Sequence, residues 1–168
     1  MGEKELTEKT MLQLLALHSS ILDVLKKRGV LRTQNNPTGD YTEWLVSNRL
    51  GLKLETNSAI GLDAKDGEGK CYQIKGRRVT PEHKSEQLGV IRGLDLEKPK
   101  FNFLIGVIFD KDWQVIRAAK IPHSLISEIA TYRKHQNGHV MYLRRSIFDI
   151  AGVENISHAL VEPAKNIF

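Results

Sequence analysis

The sequence predicts an α/β or α+β domain in which helices flank a mixed, antiparallel-rich central sheet. Three observations carry that expectation: helical hydrophobic spacing confined to the chain before Gly51, alternating polarity with turn residues from Leu52 to Gly76, and a nearly unbroken apolar run from Phe101 to Phe109. At 168 residues and 40% hydrophobic content, one domain with one core is expected over 1–168. Its parts are an N-terminal helix in 1–30, a core in 37–121 and peripheral elements in 122–168.

The first helix is expected between Leu6 and Arg28. Met11, Leu14, Leu15, Leu17, Ile21, Leu22, Val24 and Leu25 recur at mostly helical spacing, glutamates lie early, and Lys26, Lys27 and Arg28 come late, as the helix dipole favours. Gly29 is the stop signal, and the turn-rich segment Gln34 to Gly39 follows. A second helix should carry Trp44, Leu45, Val46 and Leu50 and end at Gly51. Asp40 and Glu43 stand at capping-box spacing at its start.

From Leu52 the period shortens to two. Leu52 to Glu55, Leu62 to Lys65 and Lys70 to Gly76 read as strands, the last two joined through Asp66-Gly67-Glu68-Gly69. Val79 to Lys100, with Pro81 and Pro99, reads as loop with one short helix over Glu86 to Ile91. Phe101 to Phe109 is the buried central strand and turns at Asp110-Lys111-Asp112 into a partner over Trp113 to Ile121. A short helix in 122–132, a strand from His139 to Leu143 and a helical turn near Ser146 to Ala151 complete the pattern. Trp44 and Trp113 fall within apolar patterns and are expected in the core.

Several function classes recede. Cys71 is the single cysteine, so neither an internal disulfide nor a thiolate zinc cluster is available, and a reducing, cytoplasmic setting is expected. No apolar run is long enough to cross a membrane. There is no G-x-S-x-G elbow and no G-x-x-x-x-G-K-[ST] loop, so acyl-enzyme chemistry and a nucleotide cofactor are not expected. His135 and His139 lack an acidic or cysteine companion and read as solvated. The net charge is +5, with acid-free basic stretches at Lys70 to Arg78 and Tyr132 to Ser146, compatible with a polyanionic partner.

The residues that carry chemistry are Glu43 on the second helix, Asp63 on one hairpin strand and Gln73-Ile74-Lys75 on its partner. Strand alternation puts Gln73 and Lys75 on one face and Ile74 on the other. Asp63 joins Gln73 only if the hairpin loop is odd in length or bulged. Such oxygens suit a hard cation, Mg²⁺ or its substitute Mn²⁺, held by Asp63, the Gln73 amide, the Ile74 carbonyl and Glu43. Lys75 would place positive charge beside the attacking water and the phosphate.

These residues resemble the PD-(D/E)XK nuclease superfamily, whose signature is a helix glutamate, a strand aspartate and a following E-x-K or Q-x-K. Glu43 in Gly-Asp-Tyr-Thr-Glu-Trp-Leu, Asp63 in Gly-Leu-Asp-Ala and Gln73-Ile74-Lys75 match its elements, and the Q-x-K form resembles the Mrr-like branch. No proline precedes Asp63, and Gln73 stands in place of glutamate, which removes one negative charge from the site. The resemblance implies a restriction-endonuclease-like core, metal-dependent hydrolysis of DNA, and catalytic roles for Glu43, Asp63, Gln73 and Lys75. Arg77 and Arg78, after the motif strand, would hold backbone phosphates. Cutting both strands makes a homodimer the expected state.

Plainer readings exist. Glu43 could serve only the capping box, Asp63 could open a turn-flanked strand, and Lys75 could protect a sheet edge. The alternatives are a nucleic-acid-binding protein that keeps the fold without catalysis, or a structural or interaction subunit.

Overall fold

The computed structural model describes residues 1–59, 61–94 and 98–161, and of Asn57 to Ala59 the backbone alone. It is an α+β arrangement with a mixed central sheet flanked by helices.

The chain begins with a short helix α1 (Glu3–Thr7) and continues into α2 (Met11–Lys27). Thr10 starts α2 in a capping box: its hydroxyl accepts from the Gln13 N–H, and the Gln13 side chain accepts from the Thr10 N–H. Helix α3 (Thr38–Leu50) follows the turn-rich segment and closes at Gly51, whose φ of +65° is the left-handed cap that glycine adopts without strain. Its N-cap is Pro37, so Asp40 lies inside the first turn and the capping box with Glu43 does not form. The reason is that the Asp40 carboxylate is used elsewhere: it accepts from the N–H groups of Arg32 and Thr33 and from the Arg32 guanidinium, tying the preceding loop to the helix.

Strands β1 (Lys53–Ala59), β2 (Leu62–Lys65) and β3 (Cys71–Arg78) form an antiparallel meander. Strand β4 (Phe103–Phe109) then lies parallel to β3, and β5 (Val115–Pro122) returns antiparallel to β4. A helix α4 (His123–Ile129) leads to a separate two-stranded pair, β6 (Thr131–Arg133) with β7 (Gly138–Val140). A 3-10 turn at Arg145–Asp149, the short edge strand β8 (Glu154–Asn155) and α5 (Ser157–Leu160) end the described chain. The main sheet runs β1-β2-β3-β4-β5-β8.

Two expectations are corrected. Glu86 to Ile91 is not a helix: Gln87 and Ile91 form isolated bridges with Tyr142 and His139, because the segment crosses the sheet from β3 to β4 and takes its backbone partners from the β7 region. Residues 95–97 of that crossover lie outside the described set. Trp113 is half-buried rather than central, with φ +66° in the turn between β4 and β5.

Strand β4 divides the core. Ile105, Val107 and Phe109 face α3 and pack with Leu45, Val46, Ala64, Tyr72 and Ile74. Leu104 and Ile108 face the other way, against Leu88, Ile91, Met141 and Leu143 from the crossover and the β7 region. Burial on both faces explains the unbroken apolar run. Among the described residues no helix is long and apolar enough to cross a membrane.

Helix α3 approaches β3 most closely at Gly76, where a Cβ would stand 1.9 Å from Thr42 Oγ1 and 2.9 Å from Thr42 Cβ. Gly76→Ala is therefore expected to cost about 2–3 kcal/mol in urea unfolding. Thr42→Ala should restore part of the loss, because it removes the nearest contact.

Candidate active site between the second and third strands

The turn joining β2 to β3 runs from Asp66 to Lys70, five residues, between the paired positions Lys65 and Cys71. Asp66 organises it: one carboxylate oxygen accepts from the N–H groups of Glu68 and Lys70, and the other from the Tyr72 hydroxyl. The register Lys65 to Cys71 and Ala64 to Tyr72, carried one step further, brings Asp63 opposite Gln73 on a shared face. Ala64 and Tyr72 point instead into the core beneath α3.

At this step the ladder changes character. The Ile74 N–H donates not to a strand carbonyl but to the Asp63 carboxylate, at 2.7 Å. The N–H and C=O of one strand residue point to the same edge, so the Ile74 carbonyl also faces β2. Gln73 is 2% exposed, and its Oε1 is buried with no hydrogen-bond partner among the described residues. A buried amide oxygen without a donor is costly, on the order of 1–3 kcal/mol, a cost that water or a ligand would offset; among the described residues His123 Nε2 and Gln136 Oε1 are in the same state. Lys75 shares this face and lies half-buried beside Gly89 of the crossover.

Glu43, on α3, has 16% of its side chain exposed and is ion-paired with Arg32. Burial and then the facing Asp63 carboxylate push its acid up to about 7, although Arg32 and Lys75 act the other way. Glu43, Asp63 and Lys75 are therefore electrostatically coupled, with Gln73 opposite Asp63.

Arg32 is the residue that sequence reasoning missed. Its guanidinium donates to Glu43 at 2.6 Å and to Asp40 at 3.1 and 3.2 Å. For Asp40, burial works against the charge, yet the N–H groups of Arg32 and Thr33 with the guanidinium hold the acid below its usual range. Arg32 lies in an irregular segment, eight residues before Asp40 and eleven before Glu43, so no helical or strand period links them.

Arg77 and Arg78 lie at the outgoing end of β3 and line a cleft of about 1420 Å³ between α2, the loop after it, the start of α3 and the turn at Trp113. Each is already engaged: Arg77 donates to the Ser85 carbonyl, while Arg78 donates to the Lys111 carbonyl and lies 4.8 Å from the centre of the Trp113 ring. A guanidinium has five N–H donors, so both retain capacity for a phosphate. Trp44 and Trp113 line the same cleft, and Tyr41 joins them through ring contacts at 5.9 and 5.5 Å.

Among the described residues no group of three or more His, Cys, Asp or Glu side chains could hold a metal ion. The candidate oxygen donors are two carboxylates, one amide and one peptide carbonyl. Donors of these types suit a hard cation, and Gln73 Oε1 among them is buried without a partner. No protein-family model matches the chain, and no curated protein matches it significantly.

The raised Glu43 acid sets the pH dependence of stability. Between its unfolded range near 4.5 and its folded value of about 7 the folded state holds more protons, so stability falls as pH rises through this window. In EDTA, Glu43→Gln is expected to raise the melting temperature relative to wild type at pH 8 and to change it little at pH 5. Equal shifts at both pH values would contradict the assignment.

Proposed function

We propose that the protein is a metal-dependent nuclease of the restriction-endonuclease-like kind that hydrolyses DNA phosphodiester bonds. The observation that carries the reading is the buried, unpartnered Gln73 Oε1 opposite Asp63, where β2 and β3 stop exchanging backbone hydrogen bonds. The element order supports it: a helix glutamate, an aspartate strand, a Q-x-K strand and then a parallel buried strand.

Asp63, Gln73, the Ile74 carbonyl and Glu43 would hold Mg²⁺ or Mn²⁺, which when bound supplies Lewis-acid polarisation of the phosphate and acidifies water. The rest falls to the chain. Lys75 places positive charge beside the phosphorus under attack, favouring hydroxide and stabilising charge as the P–O bond to the leaving oxygen breaks in line. Glu43, poised near neutrality, holds or releases a proton at small cost around pH 7. Arg32 fixes the Glu43 carboxylate. Arg77 and Arg78 would take flanking phosphates along the cleft.

The competing reading is a nucleic-acid-binding protein that no longer catalyses. The missing third carboxylate favours it, since Gln73 gives the site one charge less. It leaves the orphaned amide oxygen without a partner.

Cleavage of supercoiled, linear, branched and single-stranded DNA, with RNA in parallel, tests the reading in Mg²⁺ and Mn²⁺. Cutting is expected to need metal and to fall by about 10²-fold or more in Asp63→Ala and Lys75→Ala. Absence of cutting by wild type, with unchanged DNA affinity in Lys75→Ala, would give the binding-only reading. Gln73→Glu should tighten Mn²⁺ binding on the order of tenfold and lower stability in EDTA, because it buries a carboxylate that only a cation satisfies. Arg77→Ala and Arg78→Ala should each lower the slope of DNA affinity against salt by about one.

A further inference from the structure

Helix α2 has one buried residue, Leu22, yet it displays Met11 at 81% exposure, Leu12 at 77%, Leu15 at 65%, Ile21 at 48% and Val24 at 46%. At 3.6 residues per turn, its large apolar side chains other than Leu12 fall within about half the circumference, a stripe as wide as helices use to pack in a core. The body of the protein buries Leu22 and half-buries Leu14, Leu17 and Leu25, leaving the other large apolar side chains exposed. Half of the exposed large hydrophobic side chains on the described surface therefore lie along this one element.

We infer that this face is covered by α2 of a second copy of the chain, lying antiparallel across a two-fold axis near His18. The inference does not use the metal chemistry proposed above, although His18, Ile21 and Leu25 of this face also line the cleft that holds Arg77 and Arg78. Antiparallel pairing about His18 sets Leu15 opposite Ile21 of the partner subunit and Met11 opposite Leu25 of the partner subunit. The strongly exposed first half of each helix then meets the second half of the other, and each contact occurs twice, as two-fold symmetry requires.

Charge selects the direction. The helix ends in Lys26, Lys27 and Arg28, whereas Glu3, Glu5 and Glu8 outnumber Lys4 and Lys9 ahead of it. Parallel pairing would stack the three cations on their own copies. Antiparallel pairing instead sets the basic end of each helix toward the acidic segment that precedes α2 in the other copy, and opposes the two helix dipoles. The face opposite the stripe carries Gln13, Ser19, Ser20 and Asp23 beside Lys26 and Lys27, not the row of cations that holds an amphipathic helix on an anionic membrane.

Sedimentation equilibrium and light scattering of the full chain test this. Wild type is expected at twice the monomer mass of 19.0 kDa. Leu15→Glu and, separately, Ile21→Glu are expected to raise the dissociation constant at least about a hundredfold while far-UV circular dichroism stays unchanged, since both side chains are exposed in the single chain. Arg28→Glu and Glu8→Arg should each weaken the dimer about threefold, and an equal mixture of the two should recover the wild-type constant. A wild type that stays monomeric at about 200 μM, or a dimer indifferent to Leu15→Glu and Ile21→Glu, would overturn the inference. So would a monomer that binds phosphatidylcholine–phosphatidylglycerol vesicles and loses them in Leu15→Glu, which would assign the face to a membrane.

Discussion

The peptide at Ile74 is held from three directions, and the candidate site follows from that confinement. Its side chain is buried at 3% exposure beneath α3, its Cα is paired with Ile105 on the parallel strand, and its N–H is taken by the Asp63 carboxylate. Once Ile74 is fixed inward, strand alternation leaves no choice for its neighbours: Gln73 and Lys75 must face the other way. The approach of Thr42 to Gly76 then sets how near α3 comes, and so where Glu43 stands relative to Asp63.

A carboxylate that replaces a strand carbonyl has two consequences at once. It satisfies the Ile74 N–H, so the backbone there is not left without a partner. It also stands where the paired register of β2 and β3 ends, at the edge that the Ile74 carbonyl faces. Arg32 counterbalances Asp40 and Glu43 with a guanidinium that stays half exposed.

Much of this arrangement was legible in the chain, and what was not has identifiable causes. Hydrophobic period and turn residues located β2, β3, β4 and β5 to within one or two residues, because each is either alternating or fully apolar. The crossover misled because Glu86 to Ile91 has a weak helical period yet satisfies its backbone against residues more than forty positions away, around His139 and Tyr142. The capping box at Asp40 misled for a similar reason: a local motif lost to a stronger long-range partner, Arg32. Glu43, Asp63, Gln73 and Lys75 were readable by spacing and alternation, whereas Arg32 acts from an irregular segment that carries no period.

The parallel pairing of β3 with β4 bears on the order in which the molecule assembles. The β2–β3 and β4–β5 turns close short loops, but the register that joins Tyr72 to Phe103 must close the whole crossover, and loop-closure entropy grows with that length. The two hairpins are thus cheap to nucleate and their union is not, which places the docking of β3 on β4 late on the folding route and makes it the slower event. Every residue of the candidate site lies on the N-terminal side of that junction, so the groups that would do the chemistry are gathered early in the chain and acquire their rigidity only when its second half arrives.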